Sequence, residues 1–284
     1  MKWKSPAISK DLYSWEKAKP ERSVPLYTRK IVWMPVAVLA IGAFAAWVVF
    51  GILTSQYKDR AEEFDLKQVT EMEAASVLYD REGREFGKIF IQNRQPVAYE
   101  RLPQALVDAV ISAEDNRFYS HTGVDYMGIF RAAITNYLQG RIAQGASTVT
   151  QQLARNSFEL RERTYERKLI ELYLAWRIER NFSKREIMGA YLNRVYFGSG
   201  FYGAEAAAQG YFGKNAIDLT IGQCATLAGL LKSPNALSPF NNPEGSKSSR
   251  DIVLQKMREL GFISRKEFAE ETESSLGVVK RTNP

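Results

Sequence analysis

Three short stretches of this chain place polar and charged side chains where an ordinary helix would carry its apolar stripe. In "ALVDAVISAEDNRFYSHTGVD", Leu106, Val107, Val110, Ile111 and Ala113 mark the apolar face of a helix that ends at Glu114 and Asp115. A carboxylate at a helix C-terminus faces the negative end of the dipole, and partial burial adds desolvation, so Glu114 is a candidate base or acid. Pairing of Glu114 or Asp115 with Arg117 is the plainer alternative. In "GASTVTQQLARN", Gly145 to Asn156, Thr148 and Gln151 have capping-box spacing, so a helix starts at Ser147 or Thr148. Val149 and Leu153 then share an apolar side, while Thr148, Gln152 and Arg155 share a polar one, with Gln151 beside Arg155. Amide donors, hydroxyls and a guanidinium at a helix N-terminus suit an anion surrounded by sugar hydroxyls; a capped surface helix is the alternative. The third stretch, "RERTYERKLIELYLAWRIER", reads as helix from Tyr165 to Arg180, with Leu169, Leu172 and Trp176 on one apolar stripe and Leu174 and Ile178 on another. Glu171 sits in its middle, where a lone carboxylate is expensive unless it is paired or working, and Arg167 and Lys168 lie one turn away to pair with it.

The elements that must hold these residues belong to a chain of 284 residues, 45% of them hydrophobic, which is enough to bury a sizeable core. A net charge of +7 points to an anionic partner: nucleic acid, a phosphate-bearing substrate or an anionic membrane surface. Cys224, the only cysteine, lies in the apolar run "CATLAGLL" and reads as a small buried hydrophobe. His121, the only histidine, reads as a hydrogen-bonded structural residue, and a solitary histidine excludes a His-rich metal site. From Ile31 to Leu53 no residue is charged, a length that predicts one transmembrane helix with Trp33 and Trp47 as interfacial aromatics. Eight cations against Asp11, Glu16 and Glu21 in the preceding 30 residues place the N-terminus in the cytoplasm and all that follows Leu53 outside. An external location conflicts with nucleic-acid binding.

The expected organisation is a basic tail over 1–30, the membrane helix over 31–53, a charged and solvated juxtamembrane linker over 54–74, a mainly α domain over 75–265 and a tail over 266–284. A hairpin is expected around Asp80-Arg81-Glu82-Gly83, and helices from Pro103 to about Phe268. Ser183 and Glu186 form a second capping box, and Tyr191, Asn193 and the small residues that follow read as packing and turns.

Taken together, "EDNRFYSHTGVD", "GASTVTQQLARN" and "RKLIELYLAWRIE" resemble the first three motifs of the peptidoglycan glycosyltransferases, the domain of monofunctional transglycosylases and of class A penicillin-binding proteins. "SKREIMGAYLNRVYFGSGFYGAEAAAQGYFGK" resembles the fourth motif and "LAGLLKSPNALSPFNNPEGSKSSRDIVLQKM" the fifth, so the similarity runs from roughly Ala75 to Phe262. The resemblance implies a lysozyme-like, mainly helical domain with a small membrane-associated jaw subdomain, polymerising lipid II into glycan strands on the outer face of the bacterial cytoplasmic membrane. It implies Glu114 as the general base and Glu171 as an organiser of the site. By position it also implies a substrate-binding set of Asp115, Arg117, Phe118, His121, Arg131, Ser147, Thr150, Gln151, Gln152, Arg155, Asn156, Arg163 and Lys168. Phe130, Ile134 and Leu138, in "YMGIFRAAITNYL", fall where the family has its jaw and are expected in the bilayer, with core packing as the alternative. No cofactor is required; a divalent cation, Mg or Mn, has been associated with the family, although the sequence has no dedicated ligand cluster. Arg155 stands where many relatives have lysine, and Ser248 and Ser249 precede Arg250 where the family often has a further basic residue. The expected partners are lipid II, the growing glycan strand, membrane lipids and other cell-wall synthesis and division proteins. The stretch "ASVLYDREGREFGKIFIQNRQPV" is more similar to bifunctional members, so the chain reads as either monofunctional or part of a longer enzyme. The competing classes are a lysozyme-like lytic hydrolase, against which the basic motif residues count, and a non-catalytic scaffold, against which the retained Glu114 and glutamine pair count.

Overall fold

The computed structural model describes residues 30–71, 76–82, 85–89, 93–140, 145, 147–160, 162 and 164–280; the basic tail over 1–29 and Arg163 lie outside them. The chain divides into two units, Met1–Thr54 and Ser55–Pro284. Helix α1 (Lys30–Glu62) opens in the first, where Trp33, Leu39, Ile41, Phe44, Trp47 and Ile52 are all exposed. Among the described residues no single helix is long and apolar enough to cross a membrane, whereas a bent pair, Trp33–Val49 with Thr54–Glu62, satisfies length and composition together.

The second unit is helical but for two small sheets. The residues after Leu53 are not simply solvated, as their charge suggested: Ala61 and Val69, in short helix α2 (Lys67–Thr70), are buried, and the Phe64 ring meets Phe158. Two arginines fix this segment from its backbone. Arg177 donates to the carbonyls of Ala61 and Phe64, and Arg194 to those of Gln68, Val69 and Glu71, which answers carbonyls left over where helices end. The expected hairpin is present as β1 (Ser76–Tyr79) and β2 (Glu85–Ile89), antiparallel, and β3 (Asn93–Arg94) pairs in parallel with β4 (Phe201–Tyr202).

Helices α3 (Gln104–Glu114), α9 (Ile221–Leu230) and α10 (Pro243–Glu259) pack together, with α9 buried along nearly its whole length. Cys224 lies within α9 with no exposed surface, and burial pushes its thiol pKa up. Helix α4 (Tyr126–Gln139) is capped at its start by Asp125 and stops at Gly140 in the left-handed region, φ 62°. A second group is α5 (Val149–Ser157) against α6 (Tyr165–Asn181) and α7 (Lys184–Arg194), and α8 (Ala204–Phe212) joins it to α9. The C-terminal α11 (Arg265–Glu273) is locked by Arg250, which has no exposed surface and donates to the carbonyls of Thr272 and Ser274. Asn193 grips the backbone of Val97 through both ends of its amide, in keeping with a packing role.

Helix α6 differs from the sequence reading. Its buried stripe is Ile170, Leu174 and Ile178, with Glu171 and Ala175 beside it, while Leu169, Leu172 and Trp176 stay half-buried. Two apolar stripes predict burial on more than one side, which is complete for one stripe and partial for the other. On α4 only Ala132 is buried, so core packing does not hold Phe130, Ile134 and Leu138, which are 63%, 45% and 75% exposed.

Candidate functional site

The last residue of α3 is Glu114 and Asp115 is its C-cap, so the two carboxylates leave the helix end in different directions. Asp115 is buried and fully engaged: His121 Nε2 lies 3.0 Å from both its oxygens, and the Val149 backbone N–H donates to Oδ2 at 3.0 Å. The Gly123 N–H donates to His121 Nδ1, so the proton of this imidazole sits on Nε2 and points at Asp115. A carboxylate on the first backbone N–H of α5 also meets the positive end of that helix. Gly123 allows the close crossing with α6; a Cβ there would stand 2.8 Å from the Ala175 carbonyl oxygen, and its φ of +94° disfavours any other residue. Asp115 and His121 thereby tie the end of α3 to the start of α5.

That tie sets Glu114 against α5. Gln152 Nε2 donates to Glu114 Oε2 at 2.7 Å, and Tyr191 of α7 donates to Gln152 Oε1 at 3.1 Å. Burial pushes the Tyr191 hydroxyl well above its ordinary pKa; the Glu114 charge adds to the shift, Arg155 opposes it and Asp115 adds a little more. Arg117 pairs with Asp125, its Nε 3.4 Å from Oδ1, and not with Glu114 or Asp115 as the sequence alternative had it, because Asp125 at the start of α4 lies across from it.

A second cluster surrounds Glu171, whose side chain has no exposed surface. Lys168 Nζ stands 3.1 Å from Oε2, Arg167 Nε 3.5 Å and Arg155 Nη1 4.0 Å from Oε1, with those cations 40%, 21% and 34% exposed respectively. Lys168 also donates to Ser147 Oγ at 2.9 Å and to Gln151 Oε1 at 3.3 Å. Gln151 Nε2, Arg167 Nε, Glu171 Oε1 and Arg117 Nε are buried without a hydrogen-bond partner. Three cations around one carboxylate, with unmet donors among them, form a surface that can take up an anion.

The rest of the expected set divides. Ser147, Gln151, Gln152, Arg155 and Lys168 come together around Glu114 and Glu171, and Asn156 is half-buried one turn beyond Gln152. Thr150 and Phe118 face elsewhere: Thr150 donates to Glu179 at 2.6 Å, Lys184 pairs with the same carboxylate at 2.7 Å, and its Nζ lies 4.4 Å from the centre of the buried Phe118 ring. Arg131 is exposed on α4. Arg167 and Tyr191 join the site although the sequence reading gave them only an ion-pair and a packing role. Among the described residues no group of three or more His, Cys, Asp or Glu is placed to hold a metal ion, so no ligand set is offered for a divalent cation.

The Transglycosylase family model matches residues 82–258. Penicillin-binding protein 1A of Aquifex aeolicus is 44% identical over 242 residues, which cover 85% of this chain and 33% of that protein. Penicillin-binding protein 1A of Escherichia coli is 39% identical over 235 residues, 83% of this chain and 27% of its own. A transglycosylase candidate from Cupriavidus necator is 47% identical over 168 residues, 59% of this chain and 72% of its length. The chain thus spans about a third or less of these penicillin-binding proteins. Glu114, the polar face of α5, Glu171 and Tyr191 all fall within the matched span, and the chain belongs to the Transglycosylase family.

Proposed function

We propose that this chain is a membrane-anchored peptidoglycan glycosyltransferase with a lysozyme-like catalytic domain, joining lipid II disaccharides into β-1,4-linked glycan strands with release of undecaprenyl pyrophosphate. The observation that carries the reading is a half-buried carboxylate, Glu114, bonded to Gln152 on α5, while Arg155 of the same helix joins Arg167 and Lys168 around Glu171. In this reading Glu114 takes the proton from the 4-hydroxyl of the acceptor sugar. The freed oxygen pair attacks the anomeric carbon of the donor with inversion, as the bond to the pyrophosphate oxygen breaks and its electrons leave with that oxygen. Pyrophosphate departs as an anion, so the step calls for charge compensation and not for a second, protonated carboxyl. Arg155, Arg167 and Lys168, each partly exposed, supply the compensation and the donors for phosphate oxygens. Glu171 keeps the cations gathered while leaving them in excess.

The exposed apolar side chains of α1 and of α4 support attachment to the cytoplasmic membrane, with the N-terminus inside and the enzyme domain outside. The partners in this reading are lipid II, the glycan strand, membrane lipids and other cell-wall synthesis proteins. The test is polymerisation of labelled lipid II by the purified full chain in detergent, beside Glu114→Gln and with moenomycin. Glycan strands are expected from the parent alone, with turnover of Glu114→Gln lower by about a hundredfold or more, the usual share of a general base. A folded parent that makes no polymer, or a Glu114→Gln chain that keeps pace with it, overturns the proposal.

A further inference from the structure

The glutamate at the end of α3 is not held by α5 alone. Tyr191 has no exposed surface, and its hydroxyl reaches the Gln152 amide from the side opposite Glu114. From this arrangement we infer that Tyr191 is a positioning residue for the transfer: it anchors the far end of the Gln152 amide, so that the NH2 end stays on Oε2 of Glu114 and Oε1 is left as the oxygen that takes the proton. The inference rests on the proposed role of Glu114 as base.

An ionised carboxylate only accepts, so the Gln152 end that meets Oε2 at 2.7 Å must be the NH2 group. An inverted amide would set two oxygens against each other at that distance. A glutamine side chain can invert at its last torsion, and a donating partner at its far end reinforces the state that the carboxylate favours. Tyr191 is that partner. It stays protonated through the neutral range because burial raises its pKa, so its O–H is always available to the amide oxygen. Since Oε2 is occupied, an acceptor hydroxyl has Oε1 to approach.

The other charged groups about this pair are accounted for. Asp115 is spent on His121 and the Val149 N–H, Arg155 of α5 leans on Glu171 at 4.0 Å, and Lys256 of α10 donates to the Ala113 carbonyl at 3.3 Å. None of these is altered by removing the Tyr191 hydroxyl. A buried tyrosine whose hydroxyl merely finds an acceptor would affect stability and nothing else, and that difference is measurable.

The experiment uses the full chain in detergent as parent, Tyr191→Phe, Gln152→Leu and Glu114→Gln. The first readout is lipid II polymerisation across pH. The second, independent of turnover, is a 13C titration of δ-labelled glutamate, with the Glu114 signal assigned by its loss in Glu114→Gln. Tyr191→Phe is expected to lower kcat about tenfold with KM within about twofold of the parent, and to move both the acidic limb of kcat and the Glu114 midpoint to higher pH. Gln152→Leu is expected to raise that midpoint at least as far. An unmoved midpoint in either variant overturns the inference, and so does a kcat loss in Tyr191→Phe that comes with lower thermal stability and an unmoved midpoint. If the parent makes no polymer, the proposed function falls by itself, while a raised midpoint in Tyr191→Phe still supports the orienting role.

Discussion

At the scale of single residues, the most constrained side chain is Glu171, a carboxylate with no exposed surface ringed by cations that each keep part of theirs. Removing one partner from a fully buried ion pair costs about 3–5 kcal/mol, because the other charge is stranded. Here the stranded charges would be Arg155, Arg167 and Lys168, which water partly reaches, so solvent screening cuts the expected loss for Glu171→Gln to about 2 kcal/mol. Chemical denaturation should show this as a lower midpoint at unchanged slope. Lipid II turnover should fall as well, since the cations would no longer be gathered. A variant with the parent's midpoint would mean that Glu171 does not hold them.

Among the elements, α5, α7, α9 and α11 open with the same device: Thr148 with Gln151, Ser183 with Glu186, Thr220 with Gln223 and Ser264 with Glu267. In α5 the device reaches into the site, because the Gln151 oxygen that accepts from the Thr148 N–H also accepts from Lys168. Thr148→Ala should therefore lower stability by about 1–2 kcal/mol and weaken turnover too, measured by unfolding and by polymerisation of the same preparation. In α7 and α11 the capping acid titrates. The Ser183 hydroxyl and N–H hold Glu186 below its ordinary pKa, and the Ser264 N–H and hydroxyl do the same for Glu267. A depressed carboxylate binds fewer protons folded than unfolded, so its contribution is complete above the ordinary glutamate range and is lost as pH falls through the depressed value. Thermal unfolding followed by circular dichroism through that acid window should show a shallower loss in Glu186→Gln/Glu267→Gln than in the parent. Identical acid limbs would remove these caps from the account.

On the scale of the whole molecule, the feature to explain is an exposed apolar helix in an otherwise well-packed unit. Helix α4 leaves Phe130, Tyr137 and Leu138 63%, 87% and 75% exposed, more than a soluble surface normally tolerates in one place. If the bilayer is their solvent, Phe130→Trp in proteoliposomes should be quenched by lipids brominated along the acyl chain, in difference to the parent. Its thermal stability should stay within about 0.5 kcal/mol, because the side chain packs against nothing in the core. A tryptophan at this position that bromolipids leave unquenched would place α4 in water.

The sequence by itself determined the local features: where α3 stops, where α5 and α7 are capped, the hairpin around Asp80, and the buried habit of Cys224. Each depends on residues within a few positions of one another, and helical periodicity and capping spacing encode such distances directly. The motifs of the family were legible for the same reason. Tertiary structure decided what each polar residue does. Arg117 went to Asp125, adjacent glutamines on α5 parted to serve Lys168 and Glu114, and one of two apolar stripes on α6 was buried. The same holds for Tyr191, which reads as packing in its own stretch and becomes part of the site only where α7 crosses α5. The contacts that build the site join residues 34, 38 and 39 apart, Asp115 to Val149, Glu114 to Gln152 and Gln152 to Tyr191. No local pattern carries them, because they exist only once the helices have packed at one angle and register, and burial then limits each polar group to the partners that packing brings within reach.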